Sequence, residues 1–326
     1  MIKKQRLPQR RHTVTETTQT IFEKYQIRKS RKQKTAFIDY VQATAAKLGY
    51  DSRTEKGYLG ARNIVVGDPD TAKVIYTAHY DTCAVMPFPN FITPKCIWLF
   101  LLYQILVGVL LVAIPSALVA GIFFGLAACG IEADVLLLYD LWLILILAMC
   151  WLIMAGPANR HTANDNTSGV TTLLDTMTAL PEELRGEVAF VFFDLEEMGL
   201  FGSAGFAGRH KKVAKNTLVV NFDCVSDGNN ILFVLRKGAA RYTEAVKTAF
   251  PSTDTFAVEV VSKGAIYPSD QANFARGVGV AALKKTKGGL LYMDRIHTGR
   301  DTVYMEENIA YLTQGAVRLA ESMSEK

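Results

Sequence analysis

Residues 187–203 read EVAFVFFDLEEMGLFGS. The run from Val188 to Phe193 is apolar and aromatic throughout, of strand length, and too short for a buried helix. Acids follow at once, Asp194, Glu196 and Glu197, and then Gly199 and Gly202 lead into a helical pattern over 203–213. A fully apolar strand that ends in carboxylates and turns into a helix is one unit of an α/β fold. Further strand-like runs occur at 63–66, 73–78, 217–222 and 257–261, with helical patterns at 34–48, 168–180, 242–250 and 306–323. Their alternation predicts a mainly parallel central sheet with helices on both faces.

The chain of 326 residues has charge distributed in blocks. Its first 34 residues carry eleven basic side chains against Glu16 and Glu23, which predicts a basic arm over 1–34 able to lie on anionic lipid. Residues 96–159 contain no Lys or Arg, and their acids are Glu132, Asp134 and Asp140. The rest is nearly neutral, so a nucleic-acid-binding core is not expected. No apolar run follows the basic start, so no cleaved secretory signal is expected either. Two long apolar runs, 96–131 and 135–155, predict a transmembrane helical insertion over 95–157. It divides a catalytic α/β domain into 35–94 and 158–326. The first run, as one helix, exceeds a bilayer core of about 30 Å, so a break is expected at Pro115, Gly121 or Gly125.

Three strands deliver chemistry to one rim: His79 and Asp81 follow KVIYTA, Glu196 and Glu197 follow VAFVFFDL, and Asp223 follows TLVVNF. The carboxyl ends of strands form the ligand crevice of an open α/β sheet. Asp165, in ANDNTSGV, and His297, in RIHTGRD, sit in loops able to reach it. Two imidazoles and several carboxylates without thiolate suit divalent metal ions, zinc first and manganese or cobalt as alternatives. Two such ions on three carboxylates and two neutral imidazoles retain positive charge, which favours hydroxide over water near neutral pH. Asp165 has a second reading as a helix N-cap, a role open also to Asn166 and Thr167. Cys224 reads as a small buried hydrophobe, His161 as a surface residue near the mouth, and Lys211 and Lys212 as the last turn of a helix.

These residues resemble the M28 family of co-catalytic zinc aminopeptidases. The resemblance rests on HYD at 79–81, NDNTSGV at 164–170, DLEEMGLFGS at 194–203, NFD at 221–223 and IHTGRD at 296–301, in the family's order. It implies a zinc-exopeptidase fold and two divalent ions, with Asp165 bridging, His79 and Asp223 completing one ion, and Glu197 and His297 the other. It further implies that Glu196 is the general base to a metal-bridging hydroxide that hydrolyses amino-terminal peptide bonds, and that Asp81 orients His79. Asp301 is expected to steady the loop bearing His297. Two departures stand out: His79 and Asp165 lie 86 residues apart, and Gln271 stands where many relatives have His. Two other functions fit the same resemblance, a glutaminyl-cyclase-like zinc acyltransferase and a noncatalytic membrane scaffold. The oligomeric state is not legible.

If His79 and Asp165 share ions, the chain between them crosses the bilayer an even number of times. Two crossings are expected, with residues 116–131 as a tilted, re-entrant or interfacial piece. Lys95 and Arg160 flank the insertion while its middle holds only acids, which puts the catalytic domain on the cytoplasmic side. The expected partners are therefore a peptide substrate and the lipid bilayer.

Overall fold

The computed structural model describes residues 15–325. Among them the strands are β1 (Ser52–Lys56), β2 (Arg62–Val66), β3 (Val74–His79), β4 (Val188–Phe193), β5 (Leu218–Phe222), β6 (Asn230–Leu235), β7 (Ala257–Val261), β8 (Gly277–Lys285) and β9 (Leu291–Tyr292). The helices are α1 (Glu16–Thr20), α2 (Arg31–Lys47), α3 (Ile97–Ala128), α4 (Val135–Ala155), α5 (Gly169–Ala179), α6 (Phe201–Arg209), α7 (Lys211–Asn216), α8 (Thr243–Ala249) and α9 (Glu306–Ser324). The strands form one sheet in the order β1-β2-β4-β3-β5-β8-β6-β7, with β9 beside β8. Its middle four strands, β4, β3, β5 and β8, run parallel, as do β6 and β7. The pairs β1–β2, β2–β4, β6–β8 and β8–β9 are antiparallel. The sheet is thus mixed, because short loops such as 57–61 reverse the chain where a helical crossover would keep its direction.

Successive side chains of a strand face opposite ways, and here both faces are buried. Val188, Phe190 and Phe192 join the main core with residues of α2, α5, α8 and α9. Ala189, Val191 and Phe193 join a second core with Phe206 of α6 and Val213 of α7. The single helix expected over 203–213 is two, parted at His210, whose ring nitrogens lie 3.0 Å from Glu55 and 3.3 Å from Asp70. Lys211 and Lys212 therefore open α7 and do not close a helix.

The described part of the expected basic arm belongs to the domain. Ile21 and Arg28 are fully buried and Lys34 nearly so. The Arg28 backbone N–H donates to Thr82 Oγ1 (2.9 Å), and its guanidinium donates to the carbonyls of Tyr80 and Tyr25. Burial pushes this guanidinium's pKa down to about 10, against the charges of Asp81 and Asp165. Lys34 pairs with Asp194, at the end of β4. The basic residues before Thr15 lie outside the described residues.

The two apolar runs form a hairpin in which Pro115 is the one buried residue and the other side chains are exposed or half-buried. The break expected at Pro115, Gly121 or Gly125 is absent, so 116–131 is no separate piece: α3 continues through Pro115 for 32 residues. Proline removes one backbone hydrogen bond there, but next to it Ser116 Oγ donates to Val112 O (2.8 Å) and accepts from Trp142 Nε1 of α4 (3.0 Å). The hairpin's base is tied to the rim of the sheet. Ala84 bridges to Ala158, and Val85 N donates to Pro157 O (2.8 Å). The insertion thus returns the chain to its point of departure, which explains how residues 86 positions apart remain neighbours.

Candidate metal centre

The sheet register brings the first ligand candidates together. His79 lies opposite Phe193, and Thr77 lies opposite Asn221, so two steps further along β3 and β5 His79 meets Asp223. Beyond β4 the chain turns sharply: Leu195 has φ 55° and Leu200 has φ 61°. This turn carries Glu196 and Glu197 over the rim. Cys224 (φ 56°) and His297 (φ 63°) are also left-handed, so strained backbone gathers around the cluster.

Asp165 lies between two imidazoles. Its Oδ1 is 3.2 Å from His79 Nε2 and its Oδ2 is 3.1 Å from His297 Nε2. Asp223 lies 3.5 Å from the same atom of His79, and Glu197 lies 3.3 Å from that of His297. The structure thus joins His79, Asp165, Glu197, Asp223 and His297 in one cluster, with Glu196 beside it. Ligand atoms of His79, Asp165 and Asp223 lie within 4.8 Å of one another, as do those of Asp165, Glu197, His297 and also Cys83. Glu196 forms a third such group with His79 and Glu197.

Buried polar side chains hold these loops. Asp81 lies 3.5 Å from His79 Nδ1 and accepts from the backbone N–H of Glu196 (3.1 Å) and Glu197 (3.3 Å). Asp301 accepts from the backbone N–H of Asn164 (2.8 Å) and Asp165 (2.9 Å). It therefore steadies the Asp165 loop, in addition to belonging to the loop of His297. The capping role open to Asp165 falls to Asn166, whose Oδ1 accepts from Gly169 N (3.0 Å). This leaves the Asp165 carboxylate turned to the imidazoles. Gln271 is buried below the rim, where Asn221 Nδ2 donates to its Oε1 (3.1 Å). A Cβ on Gly279 of β8 would stand 2.7 Å from its Nε2, so glycine gives this side chain its room. His161 is exposed and Cys224 is buried.

The cluster floors a cavity of about 330 Å³. A larger one, about 570 Å³, lies at the sheet edge beside Lys95, Glu259 and Lys285, away from the cluster.

The profile of Peptidase family M28 matches residues 150–317, just over half of the chain. The chain belongs to this family. Similar solved structures include the Legionella pneumophila LapA aminopeptidase, with a TM-score of 0.56 at 11% identity over 95% of this chain and 71% of that one. The Porphyromonas gingivalis glutaminyl cyclase aligns with a TM-score of 0.54 at 16% identity over 94% and 98%. A leucine aminopeptidase precursor from Bacteroides thetaiotaomicron gives 0.53 at 15% over 94% and 98%. At these identities the likeness is one of fold. No curated protein sequence matches the chain. The family match leaves out His79 and Asp81, which the fold brings beside the matched residues Asp165, Glu196 and Glu197.

The donor set of the M28 chain fits metal ions. Ligands held at 2.0–2.1 Å around a tetrahedral zinc stand roughly 3.3 Å apart, close to the four separations above. Glu197 Oε1, beside this cluster, is buried without a hydrogen-bond partner. Burial raises Glu196 and Glu197 well above the usual carboxylate range, with neighbouring carboxylates adding to it. Burial alone would also raise Asp165, yet His297 and His79 hold it below that range. Burial would lower His79, but Glu196, Asp165, Asp223 and Asp81 raise it well above its ordinary value. So dense a group of buried acids calls for more positive charge than two imidazoles supply. Cys83, four residues after His79, is the one member of these groups that the motifs do not single out.

Proposed function

We propose that the chain is a membrane-anchored two-zinc aminopeptidase that removes the amino-terminal residue of peptides. The observation that carries this reading is one buried carboxylate, Asp165, shared between two imidazoles, each with a further acid beside it. In this reading His79, Asp165 and Asp223 hold one ion, and Asp165, Glu197 and His297 hold the other. When bound, the ions polarise the scissile carbonyl and lower the pKa of the attacking water. Glu196 takes the water's proton and returns it to the amine nitrogen as the C–N bond breaks. Asp81 acts as a positioning residue, since one carboxylate touches His79 and the backbone of both glutamates.

The anchor is the hairpin of α3 and α4, and the interrupted catalytic unit comprises 35–94 and 158–326. Both helices are long and apolar enough to cross a bilayer, and their exposure favours lipid as their surroundings. At 1.5 Å per residue α3 reaches about 48 Å, so it crosses tilted or projects beyond the hydrocarbon. Lys95 and Arg160 at the base favour a cytoplasmic catalytic unit. Reporter tags at Ala133 and at the carboxyl terminus are expected on opposite sides of the membrane; an external carboxyl terminus refutes the orientation.

The enzymatic reading is tested by digesting a peptide library with the full chain in detergent, with and without a chelator. Peptides with free amino termini should lose their first residue in a chelator-sensitive manner, and acetylated ones should resist. Cleavage indifferent to acetylation rules out an aminopeptidase. One zinc per chain, with cyclisation of amino-terminal glutamine, would assign the acyltransferase function instead, which the glutaminyl cyclase likeness keeps as the second reading.

A further inference from the structure

The catalytic cavity has neighbours beyond the sheet rim. It shares Asn90, Met154, Glu197 and His297 with a second cavity of about 190 Å³, which in turn shares Phe88, Val107 and Ile153 with a third of about 320 Å³. This third space lies between α3 and α4, walled by side chains such as Leu111, Ile114 and Met149 and by no polar side chain. Polarity falls stepwise along the path, from the ligand carboxylates through Asn90, Tyr103 and Gln104 to hydrocarbon alone. The segment 86–90 that walls it is fixed to the catalytic loop, since Met86 N donates to His297 O (2.7 Å) and Asn90 N to Ile296 O (3.3 Å). From Tyr103 to Ile114 the path follows α3 for about 16 Å, the reach of a medium-length alkyl tail.

From this row of adjoining cavities we infer the substrate class: an amphipathic amide whose hydrocarbon tail lies between α3 and α4 while its scissile bond reaches the metal-ligand cluster. The inference rests on the metallopeptidase reading. Water adds across the amide, the acyl carbon takes the hydroxyl oxygen, the C–N bond breaks, and the released nitrogen takes the proton. A hairpin serving only as an anchor has no need of an apolar gap in line with the site. A substrate drawn from the bilayer has.

The test uses the full chain, zinc-loaded, in lipid nanodiscs with two short-chain series. Leucyl n-alkylamides carry the tail on the leaving amine, and 2-aminoalkanoyl methylamides carry it on the acyl side; both run from methyl to octyl. In one series kcat/KM should rise roughly threefold to fourfold per methylene, the equivalent of burying one CH2, until the gap is filled. Leu111→Trp or Ile114→Trp should lower the octyl-to-methyl ratio, and a photoreactive octyl substrate should label α3 and α4. Short members cleaved with no dependence on length in either series would overturn the tail site and leave the peptidase reading standing. If no member is cleaved, the peptidase reading fails and this inference with it. Length-independent turnover together with labelling of the gap by a phospholipid probe would mean that bilayer lipid fills it, which also overturns the inference.

Discussion

Glu196→Gln is expected to lower kcat by about 10²–10⁴-fold while both metal ions stay bound, because in the proposed reaction only the proton transfer is lost. That fall corresponds to roughly 3–5 kcal/mol of transition-state stabilisation. Geometry separates Glu196 from its neighbour. The imidazole Nε2 atoms meet Asp165, Asp223 and Glu197 at 3.1–3.5 Å, and Glu196 is not among those contacts. Its carboxylate is nevertheless near enough to form a group with His79 and Glu197. Gln keeps the shape and one oxygen but accepts no proton, so it isolates that function. The measurement pairs steady-state kinetics with zinc counted per folded chain. Full activity removes Glu196 as the base; loss of one ion with activity would make it a ligand.

Much of this site was legible because the central strands announce themselves. β3, β4 and β5 are buried on both faces and so read as largely apolar runs, broken only by Thr77 and Asn221, with the chemistry at or just past their ends. The flanking strands lack that signature. β1, SRTEK, lies at the sheet edge, where charged side chains are tolerated and no apolar alternation is needed. In β8 the glycines lower strand propensity, yet Gly279 is there to admit Gln271, a constraint visible only in three dimensions. β6, NILFVL, has a readable apolar run of strand length. Charge counting does not report the burial of Arg28 and Lys34, which lie in a basic stretch but are buried against Tyr80 and Asp194. Their partners are 52 and 160 residues away, and no local pattern reports such a distance. The role of Asp301 toward the Asp165 loop was hidden for the same reason.

Asp165→Ala should empty both metal positions at once and reduce hydrolysis to background, whereas Asp223→Ala and His297→Ala should each weaken one position. The asymmetry follows from the two oxygens of Asp165, one facing His79 and the other facing His297. Among the described residues no other side chain touches both imidazoles at such distances. The Asp165 loop is held independently of this carboxylate, through its backbone N–H groups on Asp301 and through Asn166 on Gly169. The variant should therefore fold, with an unchanged circular dichroism spectrum, so that metal loss is read as loss of a ligand. Zinc titration by calorimetry on the full chain distinguishes the cases. Two ions for wild type, none for Asp165→Ala and one tight ion for the single-site variants support a shared carboxylate. One ion retained in folded Asp165→Ala would mean that the two positions are independent, and a bridging role for Asp165 would be ruled out.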